Sequence, residues 1–175
     1  MNGHIHLVLG GSRSGKSRYA EELAKNQNRP VLYIATCRTQ GMDQEMKDRV
    51  NRHQLDRPEN WLTLENRFDL AEIVKEYSDH CLLLDCLTLW MGNAMETMND
   101  EKEISNHLDR ACSEVRKQGS SLLVVSNELG MGLVPETPIG REFRDLCGRA
   151  NQQIAAAADN VTFMVAGIPL QIKPQ

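Results

Sequence analysis

Short apolar runs alternate with amphipathic stretches along the whole chain, and the two kinds of stretch have different periods. "IHLVLGG" (5–11) reads as a buried strand ending in glycines, and "KSRYAEELAKNQ" (16–27) as a helix with Tyr19, Ala20, Leu23 and Ala24 toward one side. "PVLYIAT" (30–36) is a second strand. In "DQEMKDRVNRHQ" (43–54), Met46, Val50 and His53 recur at helical spacing behind Asp43, a capping residue type. "WLTLE" (61–65) predicts a short strand, "FDLAEIVKEY" (68–77) a helix, and "HCLLLDCLTLW" (80–90) a strand buried on both faces that stops near Asp85, with a helix from Leu87.

The second half repeats the rhythm. Ile104, Leu108, Ala111, Cys112 and Val115 stripe a helix, "SSLLVVSNE" (120–128) is a strand, and "LGMGLVPETP" (129–138) is a loop. A long helix carries Phe143, Leu146, Cys147, Ala150, Ile154, Ala157 and Ala158, and "NVTFMVAGIPL" (160–170) reads as one closing strand. Strand and helix in alternation predict a mostly parallel sheet with helices on both faces, an α/β sandwich that collects ligands at the carboxyl ends of its strands. With 175 residues and no repeat or long linker, residues 1–175 are expected to form a single domain.

Composition narrows the partners. A formal charge of −4 gives no broad positive field, so nucleic acid is not an expected partner. No apolar run approaches the roughly 18 residues of a membrane span, and the first residues lack a secretory pattern, so the cytoplasm is the expected compartment. The five cysteines, Cys37, Cys81, Cys86, Cys112 and Cys147, are scattered and unpaired in spacing, which suits buried thiols in a reducing compartment and neither a disulfide framework nor a zinc knuckle.

"LGGSRSGKS" (9–17) then supplies chemistry. Gly10-x-x-x-x-Gly15-Lys16-Ser17 fits the phosphate-binding P-loop, between a strand and a helix as that motif requires. The backbone of Gly10, Gly11, Ser12, Arg13, Ser14 and Gly15 can curl its N–H groups toward phosphate oxygens, with the helix N-terminus adding partial positive charge. Lys16 would reach the outer phosphates and Ser17 would offer a hydroxyl to Mg²⁺. Asp85 has two readings, a second metal-holding carboxylate or a helix cap, and the cost of burying an idle carboxylate favours the first. These parts serve kinases, switches and motors alike. The Asn-Lys-x-Asp stretch of guanine-selective switches is absent, "SNELG" being the nearest string.

Arg49, Arg52, His53 and Arg57 fall close together after the second strand. An uncharged imidazole attacks phosphorus well near neutral pH, yet a histidine completing an apolar stripe at a helix end is by default a packing residue. Spacing alone leaves both roles open for His53.

"GGSRSGKS", "YIAT", "DQEMKDRVNRHQLDRPENWLTLE", "LLLDCLTLW", "VSNELGMGLVPETPIGREFRDLCGRANQQIAAAADNV" and "AGIPLQIK" together resemble the bifunctional adenosylcobinamide kinase/adenosylcobinamide-phosphate guanylyltransferase family of cobalamin biosynthesis. The resemblance implies a P-loop NTPase (RecA-like) three-layer sandwich, assembled as a homotrimer. It implies that ATP or GTP phosphorylates adenosylcobinamide, and that GMP from GTP then passes to adenosylcobinamide phosphate through a histidine in an "RxxxHxxxRPxxW" segment. Arg49, His53, Arg57, Pro58 and Trp61 match that segment, so the resemblance gives His53 the nucleophile's role, with Arg52 where some relatives carry a second histidine. It further implies nucleotide contacts at Thr36, Cys37 and Arg38, at Gln54, Leu55, Asp56 and Arg57, at Glu65 and at Asp85, with Mg²⁺ held by Ser17 and Asp85. Glu65 would read guanine through its N1–H and 2-amino group, or is simply a solvated strand-end carboxylate. A kinase without the guanylyl step and a non-catalytic nucleotide switch remain as narrower alternatives.

Overall fold

The computed structural model describes residues 3–37 and 58–173. The predicted helix over 43–54 lies outside these residues. The described chain runs β1 (His4–Gly10), α1 (Lys16–Lys25), β2 (Val31–Ala35), β3 (Leu62–Glu65), α2 (Leu70–Glu76), β4 (Cys81–Asp85), α3 (Leu87–Thr97), α4 (Glu101–Gln118), β5 (Ser121–Asn127), α5 (Pro138–Ala157), β6 (Asn160–Val165) and β7 (Ile168–Lys173).

The strands form one seven-stranded sheet in the order β3-β2-β4-β5-β1-β6-β7. Every pairing is parallel except the last, β6 with β7, which is antiparallel. The expected mostly parallel sheet is therefore present, but the closing segment differs from its reading as one strand. It breaks at Ala166 and Gly167, both at positive φ (51° and 83°), and folds back as a hairpin. Ala-Gly is a weak signal for such a turn, which usually carries Asn-Gly or Asp-Gly.

Alternate residues of each strand enter two cores, which is why the central strands read as unbroken apolar runs. Ile5, Leu7, Leu82, Leu84, Leu122 and Val124 face α2, α3, α4 and α5 in the larger cluster. Val8, Tyr33, Leu83, Leu123 and Val125 face α1 in the smaller one, where Ala20 and Ala24 are fully buried. Three layers result. Crossovers on opposite faces run in opposite directions along the sheet, α1 carrying the chain from β1 to β2 and α5 from β5 to β6. That divergence opens a crevice at the carboxyl ends of β1 and β5.

Most helices close their first turn with a side chain. Asp69 accepts from Ala71 and Glu72 before α2, Asp100 accepts from Glu103 before α4, and Thr137 accepts from Gly140 before α5. α1 and α3 have no such bond. Both begin at the carboxyl end of the sheet.

Candidate nucleotide site

The turn from β1 into α1 is shaped by its glycines. A Cβ on Gly10 would stand 2.4 Å from Ser14 Oγ and 2.9 Å from the Met164 carbonyl, so only glycine fits. Gly15 sits at φ 91° immediately before α1, a conformation that side chains oppose. Nothing lies within 4 Å of a Cβ built on Gly11, so the turn is open there. Ser12 and Arg13 are exposed, and Arg13 has a positive φ of 57°. Lys16 is buried, and its Nζ donates to the Gly11 carbonyl at 3.0 Å. Ser17 is half-buried in the first turn of α1. With a glycine as the preceding residue and no acid in that turn, the first N–H groups of α1 meet no capping side chain, the condition an anion-binding helix end requires.

Three strand ends line up on the same edge of the sheet as this turn. Ala35 of β2 pairs in register with Glu65 of β3 on one side and with Asp85 of β4 on the other. Glu65 is exposed and Asp85 half-buried. The Tyr33 hydroxyl donates to Asp85 Oδ2 at 2.9 Å, and the residue flanking α3 is Cys86, so Asp85 does not cap that helix. One of its two readings is thereby removed.

Thr36 is buried rather than turned outward. Its Oγ1 donates to the Cys86 carbonyl and accepts from the Cys86 N–H, both at 2.8 Å, while Asn93 donates to its carbonyl. Its side chain ties the end of β2 to the start of α3, and its place in the site is as a brace beside half-buried Cys37. Arg38, Arg49, Arg52, His53, Gln54, Leu55, Asp56 and Arg57 lie outside the described residues. The end of their segment is described: the Trp61 ring packs against the α1-side core, with Lys25 Nζ 6.0 Å from its centroid.

Four of the five histidines are described, and each is engaged elsewhere. His4 bonds Asn160, His6 bonds Thr162, His80 bonds Asp79, and His107 accepts from the first amide of α2. Burial, with the neighbouring His4, lowers the His6 pKa to about 4; burial also lowers that of His107, which is buried against Trp90. The buried thiols are poor nucleophiles too. Burial and then the Asp85 charge push Cys86 up to about 11, and burial raises Cys147 to about 12.

Some residues around the site escaped the sequence reading. Tyr33 had no distinguishing pattern. Behind the turn, Ser126 donates to Asn151 Oδ1 at 2.6 Å, Asn151 donates to the Asn127 carbonyl, and Thr88 Oγ1 accepts from the Asn127 N–H. The Glu128 N–H then bonds the Gly10 carbonyl. The available signal was chemical: Ser126 and Asn151 are polar residues inside otherwise apolar stripes, and burial requires partners for them.

Comparison with known proteins agrees with this arrangement. Residues 6–172 match the family model described as cobinamide kinase / cobinamide phosphate guanyltransferase. The chain is 39% identical over 169 residues to the Pseudomonas aeruginosa bifunctional adenosylcobalamin biosynthesis protein CobP, covering 95% of this chain and 96% of the relative. It is 38% identical over 181 residues to the Escherichia coli bifunctional adenosylcobalamin biosynthesis protein CobU, covering 95% and 98%. Two solved Pyrococcus horikoshii OT3 structures share the fold at low identity. A KaiC-like protein aligns at TM-score 0.50 and 16% identity over 93% of this chain and 71% of its own. The protein PH0250 aligns at TM-score 0.59 and 11% identity over 99% and 87%. The glycine turn, the aligned strand ends and the match across nearly the whole chain place this protein in the cobinamide kinase / cobinamide phosphate guanyltransferase family.

Proposed function

We propose that the chain performs both reactions its family's description names, on one nucleotide site at the carboxyl end of the sheet. In the first, a hydroxyl oxygen of adenosylcobinamide attacks the γ-phosphorus of ATP or GTP, the bond to the β–γ bridging oxygen breaks, the nucleoside diphosphate leaves and the hydroxyl proton passes to solvent. In the second, a His53 ring nitrogen attacks the α-phosphorus of GTP and pyrophosphate leaves. The phosphate oxygen of adenosylcobinamide phosphate then attacks the guanylyl-histidine, the N–P bond breaks, and adenosylcobinamide-GDP is released with His53 restored.

What carries this reading is the turn itself: uncapped amides of α1 and the Lys16 ammonium converge where a triphosphate would lie, at the carboxyl edge of the sheet that also carries Asp85 on β4 and, on its edge strand, Glu65. Lys16, resting on the Gly11 carbonyl, would exchange that neutral acceptor for phosphate oxygens and stabilise charge on the leaving group. Histidine placement supports the second step, because His4, His6, His80 and His107 are all held in structural bonds, and family resemblance puts the nucleophile at His53. Arg38 and Gln54 to Arg57 flank that histidine's segment, and we assign them to the nucleotide with it.

The donor set fits Mg²⁺: a serine hydroxyl and one carboxylate, all oxygen, with the Tyr33 hydroxyl donating to one carboxylate oxygen. Ser17 and Asp85 would hold it. When bound, Mg²⁺ neutralises charge on the phosphate oxygens. Glu65 would accept from guanine N1–H and the 2-amino group. The exposed apolar residues Met131, Leu133 and Val134 of the β5–α5 loop suit a second copy of the chain, in keeping with a homotrimer in the cytoplasm.

Incubation with α-labelled GTP tests the central step. Label is expected to stay on the denatured protein, stable to base and lost in acid, and to be absent from His53→Asn. An unlabelled wild-type protein that still phosphorylates adenosylcobinamide would instead mark a kinase alone. For the base, Glu65→Gln is expected to reduce the preference for GTP over ATP in the transfer, and a Glu65→Gln protein with full preference would remove Glu65 from that role.

A further inference from the structure

β6 is buried in the sheet at Val161, Thr162 and Met164, but β7 and the hairpin tip pack little into the core: Val165, Ile168, Leu170 and Ile172 are each at least half exposed. Yet that tip lies against the glycine turn. The Gly167 N–H donates to the Ser14 carbonyl at 3.0 Å. A Cβ built on Gly15 would be 3.4 Å from Gly167 Cα and 3.9 Å from Met164 Cε, and one built on Gly10 would meet Met164 at 2.9–3.1 Å. β6 thus floors both glycines, and the tip contacts Ser14, which lies between them.

The consequence follows from peptide geometry. In a planar trans peptide the C=O and the next N–H point in opposite directions. Drawing the Ser14 carbonyl toward the hairpin turns the Gly15 N–H away from it, to the concave side of the turn. We propose that the Gly167 amide is a positioning group for nucleotide binding, fixing the Ser14–Gly15 peptide so that the Gly15 N–H faces the phosphates before any nucleotide arrives. The tip's backbone agrees with this role. Ala166 holds φ 51°, uncommon for a residue with a side chain, and the pair of left-handed residues brings the Gly167 amide round to face Ser14. Preorganised donors spend no binding energy on turning toward an anion.

This inference rests on the reading of the turn as a nucleotide site, and the experiment separates the two. Gly167→Pro removes the amide hydrogen and forbids the positive φ, whereas Gly167→Asn keeps the donor and tolerates the conformation. Binding of a fluorescent GTP analogue is measured well below each variant's unfolding temperature. The Kd is expected to rise about tenfold or more in Gly167→Pro and to stay within about twofold in Gly167→Asn. A folded Gly167→Pro protein with wild-type Kd overturns the brace alone. No binding by the unaltered protein overturns the nucleotide reading and the brace with it. If Gly167→Pro does not fold, amide exchange in the wild-type protein decides. The Gly167 N–H should be protected without nucleotide and shift when GTP is added; exchange as fast as an open turn, with no shift, overturns the proposal.

Discussion

The two ends of β1 are built for opposite purposes. At its start the histidine side chains and the Ile5 N–H have fixed partners. The Ile5 N–H bonds Asp159, His4 bonds Asn160, and His6 bonds Thr162, whose hydroxyl continues to Gln171. Arg116 forks onto both Asp159 oxygens at 2.8 and 2.9 Å and also reaches the Gly3 and Ala157 carbonyls. Burial alone would raise the Asp159 pKa, but the Arg116 bonds and the Ile5 N–H together hold it below the usual carboxylate value. At its finish the helix is uncapped, Ser14 Oγ is buried with no hydrogen-bond partner, and Lys16 leans on a neutral carbonyl. A saturated end contributes stability, and an unsaturated end keeps its interactions for a ligand.

Substitutions at the two ends should therefore separate activity from stability. Lys16→Ala is expected to cut nucleotide turnover by roughly 10²–10³-fold with a much smaller effect on the unfolding midpoint, since the ammonium would stabilise charge on the phosphate oxygens in the reaction. A kinase assay beside a thermal melt reads both, and a large loss of stability would contradict the division. Arg116→Ala should do the reverse. It removes a shared donor from Asp159 and two carbonyls and is expected to cost about 3 kcal/mol in urea unfolding, with unchanged nucleotide affinity below the transition.

Acid sharpens the same contrast more gently. His6 is buried and uncharged, with its pKa at about 4 against 6.5 for an unrestrained imidazole. The unfolded chain binds the extra proton between those values, so its contribution is intact above about pH 6.5 and is lost as pH falls toward 4, by up to about 3 kcal/mol. His6→Gln, which can keep the Thr162 bond without titrating, should flatten the stability profile through that window. A profile equally steep in both proteins would place the acid sensitivity elsewhere.

Much of the fold was legible because burial on both faces writes apolar runs into β1, β4 and β5, and one-sided packing writes period-3.6 stripes into α1, α4 and α5. The glycine turn was legible for a different reason: Gly10 and Gly15 are where only glycine fits or is unstrained, and Lys16 and Ser17 follow at fixed spacing. What escaped depends on contacts between residues distant in sequence. Nothing local tells that Thr36 turns inward to Cys86, 50 residues away, or that His107 serves the amide of Leu70, 37 residues earlier. β7 escaped because the chain reverses at an alanine, although Ile168, Leu170 and Ile172 carry the two-residue period of a second strand.

Pro169 gives the hairpin a further consequence. Among the described residues β7 is the last strand on its side of the sheet, and its Ile168, Leu170 and Ile172 make an apolar rim of the kind that invites a strand from another molecule. A proline at the second position of β7 presents no amide hydrogen to such a newcomer, and Lys173 is folded back onto the Ala155 and Ala156 carbonyls at the end of α5. A neighbouring strand laid along β7 would find no amide hydrogen at Pro169 and so lose one ladder bond there.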